Sequence, residues 1–250
     1  MDTVEQPTPV PCQPFTGALN TTGTIFPLAI TQKKDDEITL PDGVAYQLAP
    51  NQMIKIELHY INSTDTDAMA QATVDLFEAD PATIHDQAGL LFAGSPDINI
   101  PAGEMLTVHE FLTMPSTLDM SASHIFAITG HTHHLGTNVQ VSVAPAKTGP
   151  MTPVYTPNPF LWSDPLTQAQ TPDFAVPKGG GFDFQCDYIN TTNATVKFGE
   201  SANAEMCFFW AYYWPSQGSH VCFHTNQIGA NGYDICCPGD SNCSLLGNQL

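Results

Sequence analysis

The stretch 124–144, "HIFAITGHTHHLGTNVQVSVA", is a β-like pattern interrupted by histidines: His131, His133 and His134 are three of the nine in the chain. On a strand, side chains alternate between faces, and residues two apart lie roughly 7 Å from each other along it. His131 and His133 therefore present two imidazoles to one side, while Thr132 and His134 face the other. Gly130 and Gly136 flank the group and leave room for a backbone or ligand to approach. This is a metal-binding pattern, and equally the pattern of polar histidines on a solvated face. Zinc, copper, iron and nickel all accept imidazole, so the pair alone does not choose a metal.

The same grammar extends in both directions. "ITLPDGVAYQL" (38–48) reads as strand, Pro-Asp-Gly turn and strand. "QMIKIELHYIN" (52–62) alternates, with Ile54, Ile56 and Leu58 on one face and Lys55, Glu57 and His59 on the other. "AQATVDLFEAD" (70–80), "INIPAGEMLTVHEFLTM" (98–114) and "GFDFQCDYINTTNATVKFGESANAEMCFFWAYYWP" (181–215) continue it. Many short strands between turn clusters predict an all-β fold, an antiparallel β-sandwich or jelly roll. Beyond Pro215 the composition shifts to a Cys-rich tail that reads as irregular and disulfide-stapled. The expected organisation is a partial N-terminal jelly roll at 1–65, a second jelly roll at 66–216 and the tail at 217–250.

Composition limits the function. Hydrophobic residues at 42% are enough for a buried core, and 25 acidic residues against six lysines, with no arginine, give a net charge of −19. Such a chain has nothing with which to release counterions from a phosphate backbone, so nucleic acid is excluded as a partner. Seven cysteines without paired zinc-type motifs point to an oxidising compartment. Asn-X-Ser/Thr triplets at Asn20, Asn62, Asn190 and Asn193 fit a secreted or periplasmic protein. The start "MDTVEQPTPVPC" shows no signal peptide, and no apolar run of about 18 residues is present to span a membrane. The expectation is therefore a mature or trimmed form.

A third ligand is sought in "NAEMCFFWAYYWP" (203–215). As a strand it puts Met206, Phe208, Trp210 and Tyr212 on one face, and Cys207, Phe209, Ala211 and Tyr213 on the other. A buried methionine is more often core than ligand. Its thioether is nonetheless a soft donor that suits Cu(I) and not zinc, so two histidines and Met206 would discriminate for copper.

Together, "HTHHLG", the later "EMC" leading into "AYYWP", "LPDGVAY" before "IELHYIN", and "IPAGEMLTV" resemble the ascorbate-dependent type II copper monooxygenases in order and spacing from about residue 40 to 215. The resemblance implies two jelly-roll domains, each holding one copper. It implies that His131, His133 and Met206 hold the oxygen-activating copper, and that His59 is one of three histidines on an electron-supplying copper. It also implies hydroxylation of a substrate C–H bond by O₂, with ascorbate as reductant, and a Cys186–Cys207 disulfide. The family's other two electron-site ligands form a His-His pair upstream of the "LHYIN" strand, and no histidine here precedes His59. Either an upstream segment or second chain completes that site, or the chain is a copper-binding module without turnover.

In the peptide-amidating members an arginine two residues before the first histidine clamps the substrate carboxylate, helped by an asparagine and a tyrosine after the methionine. Those positions here are Thr129, Phe208 and Trp210. Without arginine no bidentate carboxylate fork can form, so the expected substrate is a small apolar or aromatic molecule, including an amine. Phe208 and Trp210 read equally well as core. Cys12 is expected to be free or to pair outside the chain, and adjacent Cys236 and Cys237 to take different partners. His220 and His224, near Cys222, read as surface histidines beside disulfides in preference to a second metal site.

Overall fold

The computed structural model describes residues 8–10, 27–62 and 64–247, so Cys12 and Asn20 lie outside the described residues. The strands in chain order are β1 (Val44–Ala45), β2 (Asp86–Gln87), β3 (Gly89–Ser95), β4 (Asn99–Ile100), β5 (Met105–Thr113), β6 (His124–His131) and β7 (Gly136–Ala144). They continue with β8 (Thr152–Tyr155), β9 (Thr167–Phe174), β10 (Gly181–Ile189), β11 (Val196–Lys197), β12 (Cys207–Trp214), β13 (His220–Thr225) and β14 (Tyr233–Cys237). They form an all-β sandwich of two main sheets, ordered β5-β10-β7-β8 and β14-β13-β3-β12-β6-β9.

The sheets differ in burial, and the sequence explains why. β10 alternates: Phe182, Phe184, Cys186 and Tyr188 are buried, with Asp183, Gln185 and Asp187 between them less so. This is the signature of a sheet with one wet face. β12, "CFFWAYYW", is buried at every position except Trp214, so both of its faces are covered. Phe209 turns inward, with ring centroids 5.0 Å from Phe182 and 5.8 Å from Phe184 of the opposite sheet. Cys207 shares that face and is bonded to Cys186 of β10, joining the two sheets. Phe208, Trp210 and Tyr212 point to the outer face, where Ile30 covers Tyr212: the Ile30 N–H donates to the Tyr212 hydroxyl at 3.1 Å. Each such buried aromatic contributes about 1.5–3 kcal/mol through area removed from water.

Two segments differ from the sequence reading. Residues 52–62 and 70–80 alternate as strands should, yet neither pairs with a strand among the described residues. Ile54, Ile56, Leu58, Tyr60, Val74, Leu76 and Phe77 are left exposed. Alternation reports two chemically distinct faces, but a strand also needs a neighbour's backbone to hydrogen-bond, and here none is supplied. The Cys-rich tail carries the disulfides Cys222–Cys236 and Cys237–Cys243, and it also supplies β13 and β14 to the larger sheet. β13 runs parallel to β3, a pairing that no local pattern announces.

Asn190 is a further correction. Its side chain is buried and donates to the carbonyls of Ile100, Pro101 and Ala194, while Thr192 donates to its oxygen. Every polar atom of the amide is used internally, so the folded chain does not offer it as a glycan acceptor. Asn62 and Asn193 are exposed.

Candidate metal centre

β6 ends on His131, which faces Phe208 across the ladder to β12. Directly opposed residues share a face, so the imidazole lies on the outer side of the sheet, among aromatics. Its ring centroid is 5.8 Å from that of Trp210 and 6.5 Å from that of Phe92, and Phe92 stacks on Phe208 at 4.8 Å. Burial, with smaller contributions from His133 and His59, pushes the His131 pKa down to about 3. The ring is therefore neutral at any ordinary pH. Its Nδ1 is enclosed and has no hydrogen-bond partner among the described residues. Such an orphan costs about 1–3 kcal/mol.

His133 follows two residues later, beyond the strand. Its Nδ1 lies 2.9 Å from the Ala204 carbonyl, which can only accept, so Nδ1 carries the proton and Nε2 keeps its lone pair. Burial lowers the His133 pKa as the main cause. The Ala204 carbonyl and a backbone bond to Ser201 oppose the shift, while His134 and His59 reinforce it. The His131 and His133 rings stand 5.2 Å apart and nearly perpendicular, at 84°. His134 turns away: its Nδ1 donates to the Ala202 carbonyl at 3.0 Å, and its ring meets Trp162 edge-on at 6.4 Å.

Met206 immediately precedes β12 and is 5% exposed. The last pair of the β6–β12 ladder is His131 with Phe208; His133 lies two residues after the one and Met206 two residues before the other. The Met206 carbonyl accepts the Tyr188 hydroxyl at 2.6 Å, fixing the backbone there. His59 lies on the exposed segment 52–62, with Nε2 2.8 Å from Glu57 Oε1. His59 is the smallest of the named causes that lower the His131 and His133 pKa values.

The remaining expected residues sit beneath the histidines. Thr129, Phe208 and Trp210 are all buried, and the Thr129 hydroxyl donates to Thr167 Oγ1 at 2.9 Å. Sequence reading missed Glu205, whose carboxylate is buried beside Met206 and accepts the backbone N–H groups of His133 at 2.9 Å and Leu135 at 2.7 Å. Burial pushes its pKa up to about 7, against the lowering effect of the Leu135, His133 and Met206 amides. The available signal was an acid immediately before the apolar run 206–214.

These residues fit a soft transition-metal ion. Two neutral imidazoles 5.2 Å apart can each bring one nitrogen to about 2.0 Å from a shared ion. One ring has an orphaned nitrogen, and the other is fixed in tautomer by a carbonyl, the usual outer support of a metal-binding histidine. Among the described residues no group of three or more His, Cys, Asp or Glu side chains is placed to hold a metal ion.

Residues 86–231 match the model of the C-terminal domain of copper type II ascorbate-dependent monooxygenases, a span of more than half the chain. No curated protein matches it. Solved structures give a distant likeness only. Dimeric latent PorU from Porphyromonas gingivalis matches at 11% identity and TM-score 0.18, covering 58% of this chain and 16% of its own. The infectious bursal disease virus Gt strain structure matches at 10% identity and TM-score 0.18, covering 65% of this chain and 41% of its own. The chain thus spans less than half of either, and overlaps this slight carry no argument.

Proposed function

The chain belongs to the copper type II ascorbate-dependent monooxygenase family, and from that premise we propose that His131, His133 and Met206 hold the copper of an O₂-dependent hydroxylase. This reading is supported by two neutral, nearly orthogonal imidazoles whose ring centroids are 5.2 Å apart, and by a methionine buried just before β12, the strand whose ladder to β6 ends on His131. Bound there, copper would supply O₂ activation for hydroxylating a substrate C–H bond, with electrons from ascorbate or another one-electron donor.

The chain's own residues prepare that chemistry. His131 and His133 stay unprotonated at neutral pH because burial disfavours the imidazolium, so no proton competes for their lone pairs. Met206 adds a soft donor that favours the reduced ion over zinc. Phe92, Phe208 and Trp210 form an apolar floor beneath His131 that keeps water from that side. Thr129, Phe208 and Trp210 thus shape the site from below. With no arginine in the chain, the substrate is a small apolar or aromatic molecule, amines included, and not a peptide carboxylate. Three disulfides fit an oxidising, extracytoplasmic setting, and no helix among the described residues is long and apolar enough to cross a membrane.

A second reading is a one-copper binding module without turnover. It is favoured by His59, which is hydrogen-bonded to Glu57 and belongs to no group of three His, Cys, Asp or Glu side chains among the described residues. A partner chain or upstream segment could complete an electron-supplying site at His59. Copper stoichiometry separates the readings: two ions per chain support the enzyme with His59 as a ligand, and one supports the module or an abbreviated enzyme. Ascorbate-dependent O₂ uptake with aromatic amines and apolar compounds tests turnover. Uptake that survived Met206→Ile would refute the assigned ligand set.

A further inference from the structure

β6 stops at His131, and the last ladder pair to β12 is His131 with Phe208. The proposed ligands His133 and Met206 both lie past that point, where backbone pairing no longer holds the two segments in register. One side chain bridges the two segments there. Glu205 Oε2 accepts the His133 N–H at 2.9 Å and Oε1 accepts the Leu135 N–H at 2.7 Å, so one carboxylate spans both ends of the turn that contains His133. Met206 follows Glu205 directly in the chain.

Glu205 is itself anchored. Its N–H donates to the Lys197 carbonyl at 3.0 Å, its own carbonyl accepts from Gly199 N–H at 3.1 Å, and its side chain has no exposed surface. Its neighbour Ala204 accepts from His133 Nδ1, so two consecutive residues fix both the backbone and the ring of His133.

We propose that Glu205 is a positioning residue for the metal centre: its carboxylate replaces the missing ladder bonds and clasps the His133 loop against Met206, so that the imidazole and the thioether reach one ion. This rests on the reading of His133 and Met206 as ligands of one copper. Glu205→Gln keeps the shape but turns one acceptor into a donor that faces an N–H. Glu205→Asp keeps both acceptors on a shorter arm.

The test loads Cu(I) into wild type, Met206→Ile, Glu205→Gln and Glu205→Asp, and reads copper–sulfur scattering at the copper edge and Cu(I) affinity by competition with a chelator. Wild type is expected to show a sulfur ligand that Met206→Ile lacks; if wild type shows none, the ligand reading itself fails. With that sulfur present, Glu205→Gln is expected to lose most of the sulfur signal and at least about tenfold in Cu(I) affinity, with Glu205→Asp falling between. Unchanged scattering and affinity in Glu205→Gln would overturn the clasp. Amide hydrogen exchange on the copper-free wild type decides the matter if the variants do not fold. His133 and Leu135 must be protected like ladder amides, and exchange as fast as exposed loop amides overturns the proposal.

Discussion

At the residue scale the centre shows a local conflict between stability and use. His131 places a neutral imidazole among Phe92, Phe208 and Trp210 and leaves Nδ1 enclosed and unpaired. A leucine there would satisfy the aromatic surroundings better. The copper-free His131→Leu protein is therefore expected to melt no lower than wild type, within about 1 kcal/mol or in favour of the variant, while copper affinity collapses. Calorimetry beside copper titration reads both, and a large loss of stability would mean that His131 serves the core. Met206→Ile conserves volume, so its cost in stability is expected to stay below about 1.5 kcal/mol, leaving any loss of copper–sulfur scattering attributable to the missing thioether.

At the scale of elements, the Cys186–Cys207 bond ties β10 to β12 and closes a loop across the two sheets. Replacing both cysteines by alanine is expected to cost about 3 kcal/mol, read as a fall of roughly 6–12 °C in Tm by calorimetry. The β13–β14 hairpin is joined to the opposite sheet by His224, whose Nδ1 lies 2.7 Å from Asp234 and whose Nε2 lies 3.4 Å from Glu110 of β5. The hydrogen bond to Asp234 raises its pKa above 6.5, with Glu110 and Asn226 helping against burial. A raised folded pKa binds the proton more tightly in the native state. This support is thus complete below pH 6.5 and is lost as pH rises through the folded value. Subtracting the urea-melt stability of His224→Gln from that of wild type should give about 1.5–3 kcal/mol at pH 6, shrinking by pH 9. The subtraction removes the opposite trend from His131, His133 and His220, whose pKa values are lowered. Elements were legible where pattern and partner agreed: β10 and β12 follow from alternation and an aromatic run. Segment 52–62 misled because alternation records faces and says nothing of a neighbouring backbone. β13 was hidden because its partner β3 is remote in sequence, and Glu205 because its partners are backbone amides, which leave no trace in side-chain chemistry.

At the scale of the molecule, ordered strands and an exposed connector share one chain. Apart from Glu57, the described residues 51–80 are exposed, with Met69 and Phe77 almost wholly so. The stretch 27–48 is docked, through Ile30 on Tyr212 and Val44 beside Asp86. Limited proteolysis is therefore expected to cut first within 51–80, with the two fragments eluting together under native conditions; cleavage starting inside 86–247 would contradict the described packing. The place of β3 reaches further. It lies between β12 and the parallel β13, both made long after it, so the larger sheet cannot close until the chain is nearly finished. On a ribosome His131 and His133 emerge well before Met206, and for that interval the chain offers two nitrogens that any avid first-row cation can occupy. On the ligand set proposed above, the sulfur that would tell copper from its competitors arrives last, and metal identity would be decided where folding ends, by the ions available in the compartment that receives the finished chain.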